Sequence, residues 1–159
     1  MDIGAVVYSQ YMAALAMLRQ AVERCPDSLW DAAEDKNRFW RVAYHALFFT
    51  HLYLQKSISD FRVWEKHWDK AEEMGKDAAP GKPFTKSEIL EYMDFCRKQA
   101  EERSAALAPE APSGFDWLKF NKLELQFYNL RHLAQHTGEL MERLGSRAGV
   151  DVDWVSKGP

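Results

Sequence analysis

The sequence predicts an all-α protein, a four-helix bundle with a long connection between its second and third helices. Three observations predict it. Four long segments repeat apolar residues with the helical period, and no segment alternates with the period of a strand. The prolines fall between those segments, where a missing N–H and a fixed φ do no harm. Hydrophobic residues make up 47% of 159 residues, enough for one buried core and too little chain for two ordinary domains. Residues 1–159 therefore read as a single domain.

The first helix runs from about Ile3 to Arg24, with Val6, Val7, Tyr11, Ala14, Leu15, Leu18 and Val22 on one side. Pro26 ends it, and Cys25-Pro26-Asp27-Ser28 reads as a turn. The second helix begins near Asp35 or Asn37 and carries FWRVAYHALFFTHLYL, apolar almost all round. A helix of that kind belongs in the middle of a core. From Ser59 to Phe84 the pattern decays: WEKHWDKAEEMGKDAAPGKP mixes aromatics with charges and ends in Pro80, Gly81 and Pro83. This stretch reads as a long connection, with room for a short helix, crossing one end of the bundle. Connections of that length commonly act as lids or mobile segments.

The third helix opens at Thr85-Lys86-Ser87-Glu88, a capping-box spacing. It continues through Ile89, Tyr92, Met93, Cys96 and Ala100 to about Leu107, where Pro109 and Pro112 end it. A linker from Ser113 to Trp117 leads to the fourth helix, from about Phe120 to Arg147. There Leu123, Phe127, Leu130, Ala134, Thr137, Met141 and Leu144 alternate in steps of four and three, the seam expected of bundle packing. Gly145 and Gly149 offer stops. The tail, VDVDWVSKGP, reads as a docking strap using Val152, Trp154 and Val155.

Composition excludes several classes of function. The formal net charge is -3, with acids and bases interleaved, so there is no basic face for a nucleic acid. No apolar run of about 18 residues occurs and no basic segment precedes one, which predicts neither membrane span nor signal peptide. Cys25 and Cys96 stand alone in helical contexts and read as buried thiols in a reducing compartment. The expected location is the cytoplasm.

The chemistry-bearing residues are histidines. His132 and His136, at i and i+4, place two imidazoles one turn apart on one helix face, close enough to chelate a single ion. Two exposed surface histidines would show the same spacing. At about 100° per residue, His136 lies roughly 130° and His132 roughly 170° from the centre of the fourth-helix seam. Leu125, Leu133 and Leu140 extend the apolar arc as far as His136, so the pair marks the border of a solvent-reachable pocket. His45 sits amid Tyr44, Ala46, Leu47, Phe48 and Phe49, and a buried imidazole must find a partner: a carbonyl, a tyrosine or an ion. His51, on the flank of Trp40 and Leu47, reads as packing, and His67 has no placed partner.

A histidine midway along the second helix, His45 in RVAYHALFFTHLYL, followed by HxxxHxGxL near the end of the fourth, His132 and His136 in LRHLAQHTGEL, resembles the DinB-like (DinB/YfiT-like) superfamily. Helix count, order and the long connection agree over nearly the whole chain. The resemblance implies a four-helix bundle with a three-histidine divalent metal site, often zinc or nickel, whose ligands here are His45, His132 and His136. It also implies a homodimer, and chemistry of the thiol-dependent transferases and isomerases that use bacillithiol, mycothiol or glutathione. No residue of a thiol-cofactor site is matched.

Three protein ligands leave a coordination position open, the mark of a catalytic rather than a structural ion. The expectation is a metal-dependent transferase or hydrolase that activates a thiol or water for a small-molecule substrate. The alternative is a non-enzymatic, metal-stabilised helical dimer with a ligand-binding or stress-response role; a purely structural helical module is the third reading. Glu139 and Asn129, one turn either side of the pair, are candidates to orient a histidine, and the general base is unassigned. A ferritin-like di-iron centre needs Glu-x-x-His pairs on two helices, which the helical core lacks.

Overall fold

The computed structural model describes residues 1–75, 78 and 81–159. Lys76, Asp77, Ala79 and Pro80, part of the predicted connection, lie outside the described residues. The described residues are all-helical, with no strand: α1 (Ile3–Arg24), α2 (Asp27–Trp30), α3 (Phe39–Leu54), a 3-10 turn (Ile58–Asp60), α4 (Lys86–Ala105) and α5 (Lys122–Ala148). The packing is bundle-like, with α1 against α4 and α5, and α3 against the same two helices.

Local chemistry sets the helix ends. Asp2 caps α1, its Oδ1 accepting from Ala5 N at 3.0 Å. The predicted turn after Cys25 is instead the single-turn α2, which Pro26 precedes with a φ of -64°. α3 starts at Phe39, later than Asp35 or Asn37, because those two side chains are used elsewhere. Asp35 pairs with Arg143 and Arg147, and Asn37 Oδ1 accepts from Gly75 N. The capping box forms as expected: Glu88 N donates to Thr85 Oγ1 at 3.2 Å and Thr85 N donates to Glu88 Oε2 at 2.8 Å. Asn121 caps α5, and Gly149 closes it in the left-handed region at φ 62°.

α3 lies in the middle of the core: all its residues are buried except His45 and Phe49, one turn apart. The segment after it supplies core aromatics rather than a loose cover. Trp64 stacks on Tyr92 with ring centroids 4.6 Å apart, and Phe84 stacks on Tyr44 at 4.5 Å.

On α5 the buried stripe differs from the predicted seam. The core takes Leu125, Gln126, Asn129, Leu133, His136, Thr137, Leu140 and Leu144, while Phe127 is 64% exposed. The heptad pattern counts apolar side chains, whereas this stripe includes polar ones that find hydrogen-bond partners inside the core, though Asn129 Oδ1 has none. Tyr11 donates to Gln126 Oε1 at 2.9 Å, and Asn129 Nδ2 donates to Tyr11 Oη at 2.9 Å and to Thr50 O at 3.1 Å.

The tail does strap the bundle, but not through Trp154, which is 79% exposed. Val152 packs against the core, and polar anchors add to it: Arg24 donates to Asp151 O at 2.7 Å and to Asp153 Oδ2 at 2.6 Å, and Gly158 N donates to Ser9 O at 3.0 Å. A Cβ at position 158 would lie 2.4 Å from Met12 Cβ, so the strap lies against α1 only with glycine there. Cys25 and Cys96 are buried free thiols. Among the described residues no helix is long and apolar enough to cross a membrane.

Candidate metal centre

α3 supplies His45, and α5, packed against it, supplies His132 and His136. One ring nitrogen from each of the three lies within 4.8 Å of the other two. His45 Nε2 and His132 Nε2 are 3.1 Å apart, and the ring centroids of His132 and His136 are 4.6 Å apart. Phe49, a turn beyond His45, packs on His45 at 4.7 Å and on His132 at 5.3 Å, so one wall of the cluster is apolar. His136 is buried while His45 and His132 are half-buried, which leaves the cluster a side towards solvent.

Hydrogen bonds to oxygen acceptors place the Nδ1 protons of His45 and His136. His45 Nδ1 donates to the backbone carbonyl of Glu72 at 2.7 Å, so its Nε2 is the lone-pair nitrogen facing His132. His136 Nδ1 donates to Glu139 Oε2 at 3.2 Å, and the other Glu139 oxygen accepts from Arg143 Nη2 at 3.1 Å. His132 Nδ1 is buried with no hydrogen-bond partner. Burial pushes the His45 imidazole down to about 4, the Glu72 carbonyl opposing. Burial, with His136 and His45 adding to it, pushes His132 down to about 4 as well.

At neutral pH these two rings are therefore uncharged, the form that ligates. His45 Nε2, a lone-pair nitrogen, faces His132 Nε2 at 3.1 Å, a pair that either a proton on His132 Nε2 or a cation between the rings bridges. Nitrogens bound at about 2.0–2.1 Å to one tetrahedral zinc lie about 3.3 Å from each other. The donor set fits a borderline divalent ion by its three imidazoles, by the 3.1 Å nitrogen pair and by the uncharged form of His45 and His132.

The structure brings the three predicted ligands together and separates the two predicted orienting residues. Glu139 reaches His136; Asn129 does not, its Nδ2 donating instead to Tyr11 and Thr50 in the core. His51 is packing, as expected, with Nδ1 3.0 Å from Tyr92 Oη and its ring edge-on to Phe61 and Phe95. His67 has a partner that spacing alone did not place: Tyr44 Oη lies 2.8 Å from its Nδ1. Glu72 also escaped the sequence reading, because it acts through a backbone carbonyl and any residue type supplies one. Arg143 was findable, standing at i+4 from Glu139.

A family model described as the DinB superfamily matches residues 10–140. The chain belongs to the DinB superfamily. The matched span starts within α1, ends within α5 and holds all three histidines, whereas the C-terminal strap lies beyond it. Searches of curated proteins and of solved structures returned no match.

Proposed function

We propose that this DinB-superfamily protein binds one divalent ion, zinc or nickel, through His45, His132 and His136, and is a metal-dependent transferase or hydrolase. The architecture we assign to it is a four-helix bundle of α1, α3, α4 and α5, with the residues between α3 and α4 as its long connection. The observation that carries the reading is the convergence of three imidazole nitrogens, from two packed helices, to within 4.8 Å. Membership in a superfamily that typically binds a metal supports it.

A bound ion with three protein ligands would lower the pKa of a water or a low-molecular-weight thiol held at its open position. The chain's own part is to hold the ligands in the right tautomer. Glu72 O keeps the His45 proton on Nδ1, and Glu139 does the same for His136. Neither cysteine supplies a fourth ligand. Cys96 Sγ donates to Leu47 O at 3.6 Å inside the core, and burial pushes the Cys25 thiol up to about 11.

The experiment is elemental analysis of untagged protein, followed by turnover assays with a panel of low-molecular-weight thiols and electrophiles. The parent is expected to hold close to one ion per chain, and His45→Ala and His132→Ala to lose nearly all of it. Parent-level metal in both variants would place the ion elsewhere. No turnover with any loaded metal would favour a second reading, a non-enzymatic metal-stabilised dimer.

A homodimer is proposed in either case, and the unabsorbed α5 seam supports it. Phe127, Leu130, Ala134, Gly138 and Met141 line an apolar groove of about 590 Å³ with Ala13, Ala14 and Met17 of α1, rimmed by Trp154. Phe127 to Met141 spans about 21 Å, and two helices about 10 Å across present on the order of 400 Å² there. That is about half of the roughly 800 Å² each partner contributes to a stable interface. The seam is self-complementary in kind: small residues (Ala13, Ala134, Gly138) form holes, and Phe127 and Met141 form knobs.

A further inference from the structure

We infer that Asn37 is a positioning residue for the histidine cluster, joining the outer partners of His45 and His136 into one hydrogen-bonded belt. The inference rests on the metal-binding reading above. Each of the two rings gives its Nδ1 proton to an oxygen, Glu72 O for His45 and Glu139 Oε2 for His136. From Glu139 the chain of contacts continues outward. Its other oxygen accepts from Arg143 Nη2 at 3.1 Å, and Arg143 Nη1 donates to Asn37 O at 2.8 Å while pairing with Asp35 Oδ2 at 3.1 Å. Asn37 thus meets α5 through its backbone carbonyl.

Its side chain turns to the other branch. Asn37 Oδ1 accepts from Gly75 N at 2.7 Å. Between Gly75 and the Glu72 carbonyl that holds His45, the Glu73 carbonyl accepts from Arg41 Nη1 at 3.1 Å. Arg41 and His45 are one turn apart on α3, so two adjacent carbonyls are gripped by one helix face, and the far end of that short segment is gripped by Asn37. Gly75 has φ 104°, a backbone conformation that an L side chain rarely adopts. Gly75 brings no side chain of its own to the bend, and the Asn37 amide oxygen holds it from outside. Outer partners of metal ligands act by restricting ring orientation, and loss of one typically weakens binding about 10–100-fold.

The test is Asn37→Ala, read by zinc affinity from chelator competition and by the visible spectrum of the cobalt(II)-substituted protein. The expected result is zinc binding weakened about tenfold and a changed cobalt band pattern, with the melting temperature of the metal-free protein close to the parent's. Asn37→Asp, which keeps an acceptor oxygen in place, is expected to restore both. Parent-like affinity and spectrum in Asn37→Ala would overturn the proposal. Failure of the underlying reading looks different: the parent itself would bind no zinc, or His45→Ala would bind it as well as the parent. A measurement on the unmutated chain covers the case in which Asn37→Ala does not fold. Coupling is reciprocal, so zinc is expected to slow hydrogen exchange at the Gly75 amide several-fold; exchange unchanged by zinc would overturn the proposal.

Discussion

His45 Nε2 lies 3.1 Å from His132 Nε2 across 87 residues of chain. Neither ring reaches the other through a local motif; α3 and α5 must pack before the contact exists. Burial that makes both rings poor bases also keeps their lone pairs free, so packing and ligand chemistry have one cause.

A pH dependence follows for the metal-free protein. His45, His132 and His51 all have imidazoles pushed down to about 4, burial being the first cause in each. The unfolded chain takes up these protons near the ordinary 6.5, the native state only near 4. Their contribution to stability is thus complete above about pH 6.5 and is lost as pH falls towards 4. Melting temperature of chelator-treated protein, scanned from pH 7.5 to 4, is expected to drop across that window, and less steeply in His51→Phe. A flat profile would contradict the burial assigned to these rings.

The α5 seam gives a prediction about assembly. Phe127 is 64% exposed beside the α1/α5 groove, so Phe127→Glu removes little from the fold of one chain. Light scattering at tens of micromolar is expected to find the parent dimeric and Phe127→Glu monomeric, with the melting temperature of the variant lowered only by loss of the dimer. A monomeric parent would remove the seam's proposed role.

The cap of α4 can be weighed separately from the site. Thr85→Ala deletes the oxygen that accepts from Glu88 N and should cost about 1 kcal/mol. For a domain of this size that corresponds to about 2–4 °C in melting temperature. Metal content should not change. A larger loss, or loss of metal, would mean that the helix start carries load beyond its cap.

The helices were legible because their signals are local. Thr85 and Glu88 sit three residues apart and cap one another wherever that helix lies; Pro26 stops α1 without help from any other element. The ring pair His132 and His136 was legible for the same reason, since the spacing is set by the helix itself. The seam misled because a 4–3 pattern reports which face of α5 is apolar, and apolar is not the same as inward. Gln126 and Asn129 face the core because Tyr11 and Thr50 are there to meet them. Asn129 was therefore lost as an orienting residue, and Phe127 was turned outward.

By itself the sequence determined an all-helical chain, its stops and caps, two histidines on one turn, and the pattern shared with the DinB superfamily. Only the tertiary structure decided that α3 packs on α5 so that His45 faces that pair, and that a backbone carbonyl from the following segment holds its ring. The physical reason is range. Capping, periodicity and i, i+4 spacing act within one helix, whereas a ligand cluster and its outer hydrogen bonds depend on which faces pack. That choice is made by burial summed over the whole core, including polar side chains whose partners lie far along the chain.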